Sequence, residues 1–441
     1  MLDKVKELLD YKNYIELKKY LTGLEPEDIA IYFEELSDEE RALVFRLLSK
    51  DTAAEVFVEL DSDLQEELIN LFTDKELKEV LSEIFLDDTA DLIEEMPANV
   101  VKRILKNINK KDRQAVNELL KYPEDSAGSI MTTEFIDLKE NMSIEEAFEK
   151  IRKVGEDKEN IYTGYVLTRT RKILGKVDVK DMILAETDQN IKDIMDDNII
   201  TVNTLDDQEE VVKIFDKYDL IVLPVVDNEE RLVGIITVDD AIDVMKEEVE
   251  EDFEKMAAVT PSEESYFKTK VFSHAKNRIL WLLLLMISST VTGAIITKYE
   301  AAFAALPILV SFIPMIMGTG GNCGSQASTL IIRGLAMDEI KSKDIVKVIW
   351  KEFRVSLLVG IILAIVNGIR IMISYNDFNL AVIVGITLVL TALMAKLIGA
   401  VLPIVAKKLK LDPAIMAAPI ITTIVDSCSV FAFFNIAMLF I

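Results

Sequence analysis

Beyond Lys270 the chain is mostly apolar, with stretches near 279–297, 302–332, 353–374, 380–406 and 414–440. Each is long enough for the roughly 20 residues that a helical membrane span requires. In lipid such a segment can satisfy its backbone polar groups only as a helix, so an all-α transmembrane domain of five helices is expected over 276–441. The preceding part is of the opposite character. Residues 1–270 carry 35 Lys+Arg against 68 Asp+Glu, a net of −33, whereas residues 271–441 carry 14 against 8, a net of +6. An acidic, water-exposed body is therefore joined to a membrane domain. Eleven basic residues, among them Lys276, Arg278, Arg333, Lys351 and Lys407, fall on one side of the five spans, and Lys298 and Arg370 fall on the other. The positive-inside bias then puts the body in the cytoplasm and the C-terminus outside.

Composition removes several function classes. A net of −33 on the soluble part opposes nucleic-acid binding, because phosphate contacts need clustered Lys and Arg. A single histidine, His274, leaves no imidazole-rich zinc or copper site and no Ser–His relay. No nucleophile–base constellation is visible, so an enzyme is not expected. Cys323 and Cys428 both lie in apolar segments, which argues against a disulfide framework. The N-terminal MLDKVKELLD lacks the apolar run of a cleavable signal peptide.

Residues 1–125 repeat. Steps of twelve from Leu36 give Leu48, Leu60, Phe72, Ile84, Met96, Ile108 and Leu120; four residues earlier run Tyr32, Val44, Val56, Leu68, Val80, Leu92, Ile104 and Val116. Each pair at i and i+4 makes one helical stripe, and cap-like Ser37-Asp38, Ser49, Asp61-Ser62, Thr73-Asp74, Pro97 and Asn109 separate the units. Helices this short cannot bury a stripe alone, so an α-solenoid is expected. One long helix bundle with accidental periodicity is the plainer alternative.

Residues 126–250 repeat differently, in units of about 126–190 and 191–250. Met131–Ile136 is echoed by Met195–Ile200, Ala147-Phe148…Ile151 by Val211-Val212…Phe215, and Gly175…Asp181 by Gly234…Asp240. This resembles a tandem pair of CBS domains, α/β regulatory modules. The resemblance implies that Gly234, Thr237 and Asp240 hold an adenine nucleotide such as ATP at one site only, because Asp178 replaces the expected Thr in the first copy. A carboxylate there would repel phosphate. The bland alternative is a structural β–α turn.

An acidic helical connector is expected over 240–270, feeding a plug-like helix over 251–275. Asp240, Asp243, Glu247, Glu251 and Glu254 share one helical face, and like charges at that spacing destabilise a helix. Bound divalent cations would relieve the repulsion, and histidine-free carboxylates suit Mg2+ or Ca2+. A merely solvated face is the alternative.

Two places in the membrane region stand out. Gly318-Thr-Gly-Gly-Asn-Cys-Gly-Ser-Gln326 is glycine-dense enough to break its helix, and freed carbonyls with Gly321, Asn322 and Gln326 would form an oxygen-rich wall. Tight helix packing is the competing reading. Asp426, among Thr422, Thr423, Ser427 and Ser429, is the only acidic residue in the middle of a span. Such a group is costly and functional by default. Lys396 is a further intramembrane charge, either snorkelling or a fixed cation. A hydrated Mg2+ usually meets one or two carboxylates, so two copies of Asp426 across a two-fold axis would suit it.

The order of acidic helical region, CBS pair, acidic connector and five spans resembles the MgtE family along nearly the whole chain. Its most specific motifs are Gly318…Gln326 and Pro419…Asp426, supported by Gly234…Asp243 and Asp87-Asp88-Thr-Ala-Asp91. The resemblance implies a homodimeric Mg2+ channel or transporter of the cytoplasmic membrane, with the pore on the two-fold axis and Asp426 meeting the hydrated ion. It further implies a sensor in which Mg2+ bridges Glu55, Asp87, Asp91, Asp219, Asp240, Asp243, Glu248, Glu251 and Asp252 and closes the pore. Ser429 stands where family members can have Gly, and Ala418 precedes Pro419 where Asn can occur. Two rivals remain: a channel for Mn2+ or Co2+, and a membrane-anchored nucleotide or ion sensor that carries no flux.

Overall fold

The computed structural model describes residues 2–262, 266, 269–299, 306–416 and 418–440. The chain divides into two compact units, Met1–Lys246 and Glu247–Ile441.

The first unit opens with helices α1 (Leu2–Asp10), α2 (Tyr14–Leu21), α3 (Pro26–Phe33), α4 (Asp38–Leu47), α5 (Lys50–Val58), α6 (Ser62–Leu71), α7 (Asp74–Leu81), α8 (Leu86–Glu95), α9 (Ala98–Asn107) and α10 (Lys110–Leu119). From α4 onward each begins twelve residues after the last. The caps explain the phase. Thr73, for example, accepts the Glu76 N–H at 3.2 Å while the Glu76 carboxylate accepts the Thr73 N–H at 2.8 Å, a reciprocal arrangement that satisfies two orphan donors. Val44, Val56, Leu68, Val80, Leu92, Ile104 and Val116 are all buried. Alternate helices pack on each other, α3 on α5, α5 on α7 and α7 on α9. Phe33, Phe45 and Phe57, also twelve apart, stack edge to face at 6.3 and 6.4 Å. The solenoid expectation holds because no one of these helices can bury its stripe without a neighbour.

Two small sheets follow. The first has the order β1 (Phe135–Leu138), β2 (Asn160–Leu167), β3 (Ile173–Asp178), and the second β4 (Val202–Asn203), β5 (Val222–Val226), β6 (Leu232–Thr237). In each, the first pair is parallel and the second antiparallel. Helices α11 (Ile144–Val154), α12 (Val179–Leu184), α13 (Ile191–Ile194) and α14 (Gln208–Tyr218) fill out the units, and α15 (Val238–Met256) leaves β6 directly. The segment that begins each repeat lies on the closing strand of the other repeat. Thr132 exchanges two backbone hydrogen bonds with Ile235 (2.8 and 2.9 Å), as Asp196 does with Lys176 (both 2.9 Å). A Cβ on Gly234 would lie 2.6 Å from Met131 Sδ, and one on Gly175 2.8 Å from Met195 Sδ. These glycines admit the partner segment and lock the two repeats together.

The expected helix over 251–275 differs from what forms. Helix α15 stops at Met256, Ala258 adopts φ 56°, and the next helix starts at Val271. The left-handed Ala258 accounts for the stop, with the Val259 N–H donating back to the Glu254 carbonyl at 2.9 Å to close the helix end. Glu263–Ser265, Phe267 and Lys268 lie outside the described residues.

Among the described residues the second unit holds five helices long and apolar enough to cross a membrane, at Val271–Lys298, Pro307–Ala336, Ser342–Tyr375, Phe378–Lys408 and Ala414–Met438. Their α-helical parts are α16 (Val271–Lys298), α17 (Ile313–Ala336), α18 (Ile345–Tyr375), α19 (Phe378–Lys408) and α20 (Ala418–Met438). The glycine-rich segment does not break: α17 runs unbroken through Gly318–Gln326, so the expected wall of freed carbonyls is absent. The glycines serve packing. A Cβ on Gly320 would sit 2.7 Å from Val425 Cγ1, one on Gly324 2.6 Å from Ile421 Cγ2, and Gly399 of α19 lies against the Gly324 carbonyl. Close approach of three backbones offsets the roughly 1 kcal/mol that each mid-helix glycine costs. Valine at Gly399 is therefore expected to lower stability by about 1–3 kcal/mol, the usual cost of overpacking, read as an earlier thermal transition of the purified protein.

Candidate functional site

Two places concentrate unusual polar chemistry, one in each unit. In the first unit the N-terminal ends of α8 and α15 come together: Asp87 and Asp88 from the first turn of one with Asp91 a turn further on, and Asp239 and Asp240 from the first turn of the other with Asp243 a turn further on. Glu134 and Glu159, flanking β1 and β2, join them, as does Glu59 at the end of α5. Each carboxylate has a local reason to be there. Glu134 accepts the Leu86 N–H at 3.1 Å and so caps α8, and Asp240 accepts the Thr237 N–H at 3.2 Å and its hydroxyl and so caps α15. An anion at a helix N-terminus is favoured. The assembled set is not.

Burial, followed by the neighbouring carboxylates, pushes Asp88 and Asp91 up to about 7, Glu159 up to about 8, and Asp240 up to about 6 despite its bonds to Thr237. Asp87, the most enclosed, is raised well above the carboxylate range. Asp91 is exposed whereas Asp87 is buried, so water offsets much of its penalty and the physical case for its rise is the weakest of the set. Asp87 Oδ1 and Glu159 Oε2 are buried without a hydrogen-bond partner. Glu76 shows the contrast. Its bonds to Arg46 and to the Thr73 cap hold it down at about 2. Among the described residues no three carboxylates converge closely enough to clasp a bare ion. The cluster suits a cation that keeps its water, as Mg2+ does.

Of the sensor residues expected from sequence, Asp87, Asp91, Asp240 and Asp243 meet here. Glu55 lies exposed on α5, and Asp219 is exposed at the left-handed C-cap of α14 with φ 50°. In the second unit Glu251 pairs with Lys255 at 2.6 Å, Lys255 also pairs with Asp412 at 2.7 Å, and Glu248 and Asp252 are engaged as well. The nucleotide motif is occupied with the fold: Gly234 is covered by Met131 and Thr132, and Thr237 donates to Asp240. In the first copy Asp178 accepts instead from Thr163 at 2.7 Å.

The second place is α20 where it meets α17. Asp426 is half-buried on α20, and among the described residues no donor or cation engages its carboxylate. The Thr422 and Thr423 hydroxyls both donate to the Pro419 carbonyl, at 3.0 and 2.9 Å, which leaves their lone pairs free to accept. Ser427 is tied to Thr292 of α16 at 2.7 Å. Gly321 is buried, and a Cβ there would lie 3.0 Å from Thr422 Cγ2. Asn322 and Gln326, one turn apart on α17, are exposed on a stripe with Gly318. Lys396 is buried, within electrostatic reach of Cys323, which rules out snorkelling to the surface of this unit.

Residues 24–125 match the MgtE intracellular N domain, 127–188 and 191–247 match the CBS domain, and 313–436 match MgtE, described as a divalent cation transporter. A curated relative from Bacillus subtilis (strain 168), the "Magnesium transporter MgtE", is 33% identical over 426 residues, covering 97% of this chain and 94% of its own. The chain belongs to the MgtE family. An MgtE from Thermus thermophilus is 36% identical over 80% of this chain and 79% of its own. A crystal structure of the cytosolic domain of the Mg2+ channel MgtE in complex with ATP matches with a TM-score of 0.53 and 35% identity, over 55% of this chain and all of that one. The soluble part of a magnesium transporter matches with the same TM-score at 26% identity.

Sequence reasoning missed Glu59, Glu134 and Glu159 in this MgtE chain. They sit at a helix end and on strand edges far from the acidic motifs, and only the fold carries them in. Asp88 had a signal, its place in the first turn of α8, but an acidic first turn is an ordinary helix feature.

Proposed function

We propose that this chain is a Mg2+ channel or transporter of the cytoplasmic membrane that works as a homodimer and is closed by Mg2+ on its cytoplasmic side. The observation that carries the reading is Asp426: a mid-span carboxylate with no partner among the described residues, beside helices packed through Gly320, Gly321 and Gly324. Two such groups across a two-fold axis would attract a divalent ion without stripping its water. Thr423, Gly321, Asn322 and Gln326 would then meet the ion's water shell. In the head, repulsion among Asp87, Asp88, Asp91, Asp240 and Glu159 holds the acidic helix ends under strain that Mg2+ relieves. Glu248, Glu251 and Asp252 of the connector would supply further carboxylates to Mg2+, and Lys255 ties the connector to Asp412 in the turn before α20.

The test is Mg2+ uptake into proteoliposomes with the Mg2+ on the head's side varied. Uptake that falls as that Mg2+ rises is expected. Uptake indifferent to it would remove the gating account, and no uptake by folded protein would favour a non-transporting sensor. Competition by Mn2+, Co2+ and Ca2+ in the same vesicles decides selectivity. Control by ATP is a separate reading, supported by the ATP complex of the similar cytosolic domain. Titration calorimetry with ATP on wild type and Asp240→Asn checks it.

A further inference from the structure

Among the described residues, six hydroxyl side chains of the membrane helices are buried: Thr292, Ser328, Ser356, Thr387, Thr391 and Ser429. Four are satisfied. Thr292 bonds Ser427 at 2.7 Å, and Ser328, Ser356 and Thr387 donate to carbonyls three or four residues back at 3.1, 2.8 and 2.8 Å. Such back-bonding is open to any helical Ser or Thr. Thr391 and Ser429 do not use it. Both are fully enclosed, at 0% exposure, and both hydroxyl oxygens lack a partner.

The two orphans come from different helices, α19 and α20, yet flank one point on a third. A Cβ placed on Gly320 of α17 would lie 2.9 Å from Thr391 Cγ2 and 3.0 Å from Ser429 Oγ. Ser429 lies one turn beyond Asp426, on the same side of α20 by helical spacing. A buried hydroxyl without a partner costs about 1–3 kcal/mol. Alanine at 429 and valine at 391 would avoid that cost with nearly the same shape. Two such costs at a tight three-helix crossing beside Asp426 mark a place arranged for something other than stability.

We propose that Thr391 and Ser429 contribute their hydroxyls to the ion path in the conducting arrangement, and that the contact at Gly320 is where α19 and α20 repack to expose them. In the arrangement seen here the hydroxyls are withdrawn. With α20 turned about its contact with Gly320, the Ser429 hydroxyl joins Asp426 at the water-filled face and the Thr391 hydroxyl follows. Hydroxyls there accept from or donate to the waters that a divalent ion keeps. This inference rests on the transport reading.

The experiment is thiol accessibility of the full-length protein in proteoliposomes, in a Cys323→Ala, Cys428→Ala background. Ser429→Cys and Thr391→Cys are each treated with a hydrophilic methanethiosulfonate, in chelator and in saturating Mg2+. Modification at least about tenfold faster in chelator is expected, as befits a state that is minor under one condition. Equal rates in both conditions, or no modification in either, would overturn the proposal. So would equal modification of Val425→Cys, a buried apolar position on the same helix, because that would indicate loosening of the whole crossing. Uptake measured in the same vesicles separates failure of this proposal from failure of the transport and gating reading: uptake that falls as Mg2+ rises, beside equal modification rates, overturns this proposal alone. As a second measurement, Thr391→Val with Ser429→Ala is expected to leave thermal stability unchanged or raised while uptake falls severalfold. A stabilised double variant with undiminished uptake would mean that the hydroxyls are only orphans.

Discussion

Replacing Asp426 by alanine is expected to lower Mg2+ uptake by on the order of a hundredfold without harming the fold. At an effective dielectric constant of about 20, unit charges 4 Å apart attract by about 4 kcal/mol, and a divalent ion doubles this. A retained water shell lengthens the distance and reduces the gain. A net loss of about 3 kcal/mol at one point of the path corresponds to about a hundredfold in rate. The fold should survive because the carboxylate is half-buried and holds no hydrogen bond or ion pair that its removal would orphan among the described residues. Asp426→Asn keeps the shape and isolates the charge. Uptake by both variants at wild-type rate, with unchanged thermal transitions, would remove Asp426 from the path and with it the central argument for a pore at α20.

The second large effect is a head that protons close as Mg2+ does. Every carboxylate of the cluster with a resolved shift is raised, to about 6 for Asp240, about 7 for Asp88 and Asp91 and about 8 for Glu159. The folded head therefore binds more protons than the unfolded chain, so its stability falls as pH rises. The favourable contribution is fully present below the ordinary carboxylate values and is lost as pH climbs through the range of about 6 to 8. In chelator, protease resistance and hydrogen-exchange protection of α8 should drop across that range. Mg2+ should restore them at about pH 8 and add little at about pH 6, where protons already hold the cluster. Asp88→Asn with Glu159→Gln should flatten both responses. A pH profile already flat in the wild type without Mg2+ would show that the cluster is not under strain, and the gating account would fall.

The two motifs that sequence reading made most of fared differently. Asp426 needed no structure, because a carboxylate amid apolar residues is conspicuous on its own. The glycines of 318–324 invited the wrong picture, since a dense run marks equally a broken helix and a tight crossing. What separates these is whether a neighbour arrives, and Val425, Ile421 and Gly399 do. Likewise the echo of Met131 in Met195 revealed two repeats, but not that each methionine seats on the other repeat's glycine.

By itself the sequence determined the solenoid, the paired α/β repeats and the five spans, because each follows from a local period: twelve residues between caps, one unit between echoes, and about twenty apolar residues per span. The tertiary structure alone decided which carboxylates share a site. Glu59, Glu134 and Glu159 are unremarkable in sequence, and Glu55 and Asp219, which motif matching favoured, stay exposed outside the cluster. Charge interactions depend on distance and local dielectric, and neither is set until the chain has folded around them.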